Sequence, residues 1–200
     1  MRFSGVLTLL GAAMLASCAG TGALRPAPAA KPAASPPILI SPEPAGAAHL
    51  DLPCVQTGHG CIALNPEVTE KTLARTICVR GYTATIRPTR NYSDGVKRTL
   101  LRQAGLDASH GGEYELDHIV PLGVGGHPRK MSNLMLQPWQ GPNSATKKDR
   151  LERRLQHLVC NGLITLADAQ LCIAEDWQAC ASRISAIFPR RPKDPLPYTR

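Results

Sequence analysis

The sequence is poor in aromatic and in acidic residues, and each shortage excludes a class of protein. Phe, Trp and Tyr make up 4% of the 200 residues, too few for the series of stacking platforms used by general single-strand-binding proteins. Asp and Glu number 15 against 23 Lys and Arg, so the net charge is +8 at pH 7. This excess favours an acidic partner such as nucleic acid, or an anionic membrane surface.

Two further absences concern membranes and zinc. After the N-terminal segment there is no apolar run of about 18 residues, so no membrane-spanning helix is predicted in the rest of the chain. No two cysteines form a C-x-x-C pair, which argues against a zinc ribbon or knuckle. The hydrophobic content of 43% is sufficient for a folded core, and 200 residues suit one domain with appendages.

The first 50 residues are predicted to be an export signal and a tether. Residues 1–17 combine one Arg, a short apolar stretch and small residues before the next cysteine, as secretory signals do. Residues 15–18 resemble the lipobox of bacterial lipoproteins, which implies acylation at Cys18; a plain signal peptide is the alternative. By the same resemblance, Ala19 points to the outer membrane. Residues 18–50 are rich in Ala and Pro and are predicted to form an extended tether.

Six cysteines remain besides Cys18, and an even number in an exported chain predicts disulfides. The sequence by itself permits fifteen pairings. Local spacing suggests Cys54–Cys61 and Cys172–Cys180, which leaves Cys78–Cys160.

Residue patterns predict a mixed α+β domain over 51–188, followed by a loose, basic, Pro-rich tail over 189–200. The predicted elements are strands at 77–79 and 82–86, a helix from Ser93 to Gly105, a hairpin of 116–124 with 133–136, a helix from Ala145 to Asn161, and a last helix capped by Thr165 with Asp168 and running through Ile184.

The segment that carries chemistry contains Asp117-His118-Ile-Val-Pro-Leu, then Gly125-Gly126, then Asn133-Leu134. Together these residues resemble the HNH nuclease motif, the ββα-metal finger also found in colicin nucleases and in one cutting domain of RNA-guided nucleases. The resemblance covers about 75–180, with its core motif at 113–160. It implies an α+β fold in which a ββα-metal (HNH) finger is embedded in a small disulfide-containing domain with C-terminal helices.

The resemblance also implies roles for individual residues. His118 would be the general base, since a neutral imidazole titrates near working pH. Asp117 would bind one divalent metal ion, which acts as Lewis acid and template at the scissile phosphate. Asn133 would fix the tautomer and orientation of His118. Oxygen and nitrogen ligands suit Mg²⁺, Mn²⁺ or Zn²⁺.

The third position of the motif departs from the family pattern. The family places a His or Asn at the start of the helix, where this chain has Pro142 and then Asn143. Asn143 is therefore predicted to be the second metal ligand, with Asp149 on the helix as the rival. An Asn at this place is equally expected as a simple helix N-cap.

Basic residues are concentrated in two places. Eight Lys or Arg lie between Lys71 and Arg102 against one acid, Asp94. A second group lies on the helix after the motif, and it is either a solvated helix face or a surface for phosphate contacts of low sequence specificity. The residues predicted to bind nucleic acid there are Lys147, Lys148, Arg150 and Arg154. Trp139 and Trp177 are expected to fill cores.

The leading functional hypothesis is a metal-dependent HNH endonuclease that cuts DNA, with RNA as a second candidate substrate, and that is anchored outside the cytoplasm by lipid. The alternative is a catalytically silent HNH-fold lipoprotein that binds nucleic acid or an envelope partner. A third hypothesis is a structural envelope lipoprotein whose basic surface meets anionic lipid.

Overall fold

The structure is a computed structural model that describes residues 52–189. The predicted signal peptide, Cys18, the tether over 18–50 and the tail beyond Pro189 lie outside the described residues. In the part of the chain that is described, no helix has the length and apolar character needed to cross a membrane.

The described residues form a mixed α+β structure with two small antiparallel sheets and five α-helices. The first sheet pairs β1 (Cys54–Thr57) with β2 (Gly60–Ala63), and the second pairs β3 (Tyr114–His118) with β4 (Leu134–Pro138). The helices are α1 (Tyr82–Ile86), α2 (Arg90–Gln103), α3 (Ala145–Cys160), α4 (Leu166–Glu175) and α5 (Trp177–Ile187).

The β3–β4 hairpin has two chemically different faces. Side chains alternate along a strand, so Glu115 and Asp117 share one face, while Leu116 and His118 share the other. The face of Leu116 packs on α2 in a small apolar cluster whose buried members are Leu100, Leu101, Tyr114 and Leu136. The face of Asp117 meets α3 through polar contacts. The hairpin thus lies between two helices, with His118 at the end from which the connecting loop 119–133 departs.

The larger core joins the three C-terminal helices to the first sheet. Leu151, Leu155 and Leu158 repeat at helical spacing on α3 and are 4%, 0% and 4% exposed. They pack with residues of β2, the loop after β3, α4 and α5, among them Ile62, Val120, Ala169, Ile173 and Ile184. This core holds α3 in place, and α3 in turn supplies half of the polar site.

Several predictions from sequence are confirmed. The three disulfides pair Cys54 with Cys61, Cys78 with Cys160, and Cys172 with Cys180. Helix α3 begins at Ala145 and ends at Cys160, as its apolar spacing and the following Asn-Gly predicted. The hydroxyl of Thr165 accepts a hydrogen bond from the Asp168 backbone N–H at 3.0 Å, so α4 has the predicted N-cap.

Other predictions are wrong. Residues 77–79 lie in turns, and residues 82–86 form the short helix α1 rather than a strand. Gly81, with φ of +87°, turns the chain into α1. The β-branched residues of 82–86 favour a strand, but strand propensity is decided by cross-strand packing, and this segment has no partner strand.

Three element boundaries also differ from prediction. Helix α2 begins at Arg90 after the N-cap Thr89, ahead of Ser93. Strand β3 starts at Tyr114 and ends at His118, after which residues 119–133 form a loop containing short 3₁₀ turns. The predicted last helix is two helices, because Asp176 accepts the backbone N–H groups of Gln178 and Ala179 and caps a new start. The β1–β2 hairpin was not predicted.

The disulfides are expected to contribute unequally to stability. Cys78–Cys160 spans 82 residues of sequence and Cys54–Cys61 spans 7. Loop-closure entropy then predicts losses of about 4.5 kcal/mol for Cys78→Ala/Cys160→Ala and about 2 kcal/mol for Cys54→Ala/Cys61→Ala. Urea unfolding of both double variants tests this, and equal losses would contradict the loop-length account.

Candidate functional site

His118 lies at the end of β3 with its imidazole held by one backbone carbonyl. Its Nε2 is 3.2 Å from the oxygen of Pro128. A carbonyl oxygen only accepts hydrogen bonds, so Nε2 carries the proton and Nδ1 keeps its lone pair. None of the described residues hydrogen-bonds to Nδ1. Burial lowers the pKa of His118, outweighing the Pro128 hydrogen bond and Asp117 that act to raise it, so the ring is neutral at pH 7.

The Asn133 side chain makes no hydrogen bond to His118; it fixes the loop that holds His118. Its side chain is fully buried. The Oδ1 atom accepts the Val120 N–H at 2.8 Å, and Nδ2 donates to the carbonyls of Val120 and His127, each at 3.0 Å. Pro128 follows His127 directly. Asn133 therefore positions the Pro128 carbonyl, and its effect on the tautomer of His118 is exerted through the loop.

The Gly125-Gly126 pair lets this loop close against β3. Gly125 has φ of +83°, and a Cβ on Gly126 would lie 1.7 Å from the Val120 oxygen and 2.7 Å from Nδ2 of Asn133. Only glycine fits at such an approach. The Nδ1 atom of His127 accepts the backbone N–H groups of Arg129 and Lys130 at 3.1 and 3.2 Å. His127 is thus part of the loop and is not a solvated surface group.

Lys148 is fully buried and bridges the site from α3. Its Nζ donates to Asp117 Oδ2 at 3.1 Å, to Glu152 Oε1 at 2.6 Å and to the backbone oxygen of His118 at 2.6 Å. Three donors meet three acceptors, which a buried ammonium requires. Burial acts to lower the pKa of Lys148, but the charges of Asp117 and Glu152 outweigh it and raise the pKa.

The position of Lys148 corrects its predicted role. We expected it on the helix surface, in contact with phosphate, yet its exposed fraction is 0%. Its spacing from Ala145, Leu151 and Leu155 places it on the apolar face of α3, and Glu152 follows four residues later. That spacing was the signal in the sequence that could have identified a buried ion pair.

Four carboxylates gather beside His118. Glu115, Asp117, Asp149 and Glu152 line a cleft of about 310 Å³, which we call the carboxylate cleft. Burial, followed by repulsion from the other three carboxylates, raises the pKa of Glu115 to about 7. Burial and the charge of Asp117 also raise the pKa of Asp149. Both pKa shifts therefore reflect burial first and repulsion between neighbouring carboxylates second.

The two candidates for the second metal ligand are separated by the structure. Asp149 lines the carboxylate cleft with Asp117. Asn143 does not line it; its carbonyl accepts a hydrogen bond from the buried Gln137 side chain. The N-cap of α3 is Ser144. The N-cap role predicted for Asn143 is therefore wrong, and of the two candidate ligands only Asp149 lines the cleft with Asp117.

The carboxylate cleft offers ligand atoms of the chemical type that a hard divalent cation prefers. Carboxylate oxygens are the groups that Mg²⁺ and Mn²⁺ prefer, and the two oxygens of Asp117 retain lone pairs beyond those used by Lys148 and the His118 N–H. Among the described residues no three His, Cys, Asp or Glu side chains converge as a ready ligand set. Mg²⁺ commonly binds one or two carboxylates and completes its shell with water and substrate phosphate.

Basic side chains surround a second cleft on the other side of His118. This basic cleft has a volume of about 440 Å³ and is lined by Arg87, Arg90 and Lys97 together with Trp139. His118, Glu115 and Arg87 line both clefts. Trp139 is 43% exposed, so the expectation that it fills a core is wrong; Trp177 packs against the larger core as expected.

The remaining predicted phosphate contacts lie on α3. Lys147 and Arg150 are exposed, and Arg154 is half-buried. The sequence did not single out Pro128, Glu152 or Arg87, because their roles depend on contacts between distant segments.

Comparison with protein-family models, with curated proteins and with solved structures returned no match to this chain.

Replacing Lys148 by Met should leave two carboxylates without a partner. The side chains of Asp117 and Glu152 are only 12% and 20% exposed. Breaking such a pair costs about 3 kcal/mol at pH 7, and the loss should shrink at pH 5, where the unpaired carboxyls of the variant take up protons. Urea unfolding at both pH values measures it. Lys147→Met, on the exposed face of the same helix, is the control, and equal midpoints for the two variants would refute the bridging role.

Glu115→Gln should stabilise the protein at alkaline pH and leave it unchanged at acid pH. The pKa of Glu115 is about 7 in the folded protein against 4.5 ordinarily, so the protonated form favours folding, and this contribution is lost as pH rises from about 4.5 to about 7. Since the group is half-exposed, we expect a gain on the order of 1 kcal/mol at pH 8 and none at pH 4. Thermal melting measures the difference, with the exposed Glu113→Gln as control; a gain independent of pH would contradict it.

Proposed function

We propose that this protein is a metal-dependent endonuclease of the HNH type, which hydrolyses phosphodiester bonds in DNA with little sequence specificity. The observation that carries the proposal is the state of His118. Its Nε2 lies 3.2 Å from the Pro128 oxygen, its Nδ1 is left as a proton acceptor at the junction of the two clefts, and burial lowers its pKa, which favours the neutral ring. A general base for water attack needs these properties.

The order of elements agrees with the same proposal. Strands β3 and β4 are followed by α3, and the motif residues Asp117 and His118 lie on β3, with Asn133 in the turn before β4. This is the order that a ββα finger requires. The finger itself, and with it the HNH assignment, is part of the proposal.

The proposed chemistry assigns one task to each group. His118 accepts the proton of the attacking water at Nδ1, and the Pro128 carbonyl stabilises the resulting imidazolium through Nε2–H. Arg87, which lines both clefts, contacts the phosphate next to the scissile bond. Lys148 fixes the positions of the Asp117 carboxylate and the His118 backbone relative to each other. A divalent cation, Mg²⁺, Mn²⁺ or Zn²⁺, held by Asp117 and Asp149 would supply Lewis-acid stabilisation of the phosphate and the leaving oxygen.

Basic side chains on two helices, of which all but the half-buried Lys97 are exposed, support low sequence specificity. Lys147 and Arg150 lie on α3 and Arg90 and Lys97 on α2, on both sides of the hairpin. Contacts from such side chains to phosphate position a strand without reading its bases.

The proposed location is the bacterial envelope, through a lipid anchor at Cys18. Three disulfides in the described domain agree with an oxidising compartment. Separation from the cytoplasm would also keep a nuclease of low specificity away from the genome of its own cell.

His118→Ala should reduce plasmid cleavage by about 10²–10⁴-fold, because the proton acceptor is removed. The variant should still shift plasmid in a gel, and added imidazole should restore part of the rate. His157→Ala, an exposed histidine of α3, is the matched control and should cleave like the parent. Cleavage is followed with Mg²⁺, Mn²⁺ and Zn²⁺ separately, with a chelator as blank, and circular dichroism checks the fold.

Metal dependence is best tested at Asp149. Asp117→Ala would also leave Lys148 with one fewer acceptor, so lost activity there would not separate chemistry from folding. Asp149→Asn should instead raise the metal concentration needed for half-maximal rate. If wild-type protein binds plasmid but cuts it with none of the metals, the protein is a binding module. Equal cleavage by parent and His118→Ala would remove His118 from the mechanism.

A further inference from the structure

The basic cleft combines three kinds of surface that together fit a nucleotide. Its floor is apolar and includes Leu116, Leu134 and Pro128. Arg87, Arg90 and Lys97 supply positive charge, against Asp94 and Glu115. One of those acids is already paired, since Arg90 Nε lies 3.7 Å from Asp94 Oδ2. A cleft of about 440 Å³ is within the range that binds one small ligand.

Trp139 gives this cleft an exposed aromatic face on a rigid support. Its backbone N–H donates to the Glu113 oxygen at 2.9 Å, which extends the β3–β4 ladder by one residue. The indole is 43% exposed. An aromatic side chain held at a strand end loses little conformational entropy when it stacks on a planar ligand, and base–aromatic stacking does not depend on which base is present.

The wall of the cleft is connected to the candidate catalytic group. The Tyr92 hydroxyl of α2 donates to the Arg129 backbone oxygen at 2.6 Å, and the Arg129 guanidinium lies 5.4 Å from the centre of the Tyr92 ring. Arg129 follows Pro128, whose carbonyl holds His118. A strand bound along α2 is therefore held against the same loop that orients the imidazole.

The stacking residue Trp139 and the candidate catalytic residue His118 lie at opposite ends of the β3–β4 hairpin. Leu134 is the register partner of His118, and Trp139 follows β4 directly. Five residues at about 3.4 Å each place these two ends of the hairpin roughly 17 Å apart. The base at Trp139 therefore belongs to a nucleotide several positions away from the bond at His118.

We infer that the basic cleft is a binding site for single-stranded nucleic acid beside the cut, with one base stacked on Trp139 and the backbone phosphates on Arg87 and Lys97. A base in a duplex would first have to leave its stack, which costs a few kcal/mol, whereas an unpaired base is available at once. One stacked base agrees with the low aromatic content of the chain. The inference depends on the proposed function only for the position of the scissile bond.

Fluorescence of Trp139 tests the inference without requiring cleavage. The chain has two tryptophans, so Trp177→Phe in the full chain leaves Trp139 as the sole indole. We expect a twelve-nucleotide oligothymidylate, added in the presence of a chelator, to quench this fluorescence. A duplex of the same length should bind at least tenfold more weakly. Circular dichroism confirms that Trp177→Phe is folded.

Two pairs of variants distinguish binding in the basic cleft from the effects of net charge and of exposed apolar surface elsewhere on the protein. With a labelled oligothymidylate followed by anisotropy, Trp139→Ala should raise the Kd about tenfold, while Leu171→Ala, at an equally exposed apolar residue on α4, should not change it. Arg87→Ala/Lys97→Ala should weaken binding far more than Arg75→Ala/Arg80→Ala. The second pair removes the same charge from the same basic segment, at exposed residues that do not line the cleft.

Several results would overturn the inference. One is Trp139 fluorescence that oligothymidylate does not quench. The others are equal affinity for duplex and single strand, and a Kd for oligothymidylate that does not change in Trp139→Ala. Quenching by phosphatidylglycerol vesicles with no response to oligothymidylate would also overturn it, and would assign the cleft to a lipid surface. Oligothymidylate binding with no cleavage of any substrate would refute the proposed nuclease and leave the inference standing.

Discussion

The geometry of the site depends on one buried ammonium group. Lys148 joins α3 to β3 by binding Asp117, Glu152 and the backbone oxygen of His118 within 3.1 Å. A charge without water is tolerated only when each donor has an acceptor, so the three groups cannot move independently. The contact to the His118 carbonyl means that the carboxylates and the imidazole are positioned by the same side chain. The apolar core under α3, built on Leu151 and Leu155, keeps the ammonium in place.

A second constraint acts on the other side of His118. The buried Asn133 amide and the close approach of Gly126 to the Val120 carbonyl define the path of the loop, and that loop presents the Pro128 oxygen to Nε2. The imidazole thus lies between a carboxylate cleft and a basic cleft, both of which it lines. Phosphate is attracted by the basic cleft and repelled by the carboxylate cleft unless a cation is bound there. This asymmetry gives an entering strand a defined side of approach.

Local features of the sequence predicted much of the fold, and contacts between distant segments explain the rest. The Cys54–Cys61 and Cys172–Cys180 pairings, the bounds of α3 and the Thr165 cap followed from spacing and end signals within a few residues, and Cys78–Cys160 was the pair that remained. The strand predicted over 82–86 was wrong because the strand propensity of a segment takes effect only when a partner strand packs beside it, and this segment has none. Lys148 was misplaced because lysine is almost never fully buried unless it is paired, and its partner Asp117 lies 31 residues away. Asn143 and Trp139 were misjudged because their surroundings depend on how β4 meets β3.

The protonation state of His118 is the property on which the proposed base chemistry depends. Two-bond ¹H–¹⁵N correlation spectra of the histidine side chains at pH 7, assigned with His118→Ala, report it directly. The structure predicts a neutral ring with the proton on Nε2, donated to Pro128, and an unprotonated Nδ1. A ring protonated at Nδ1 alone, or at both nitrogens, at pH 7 would contradict the account.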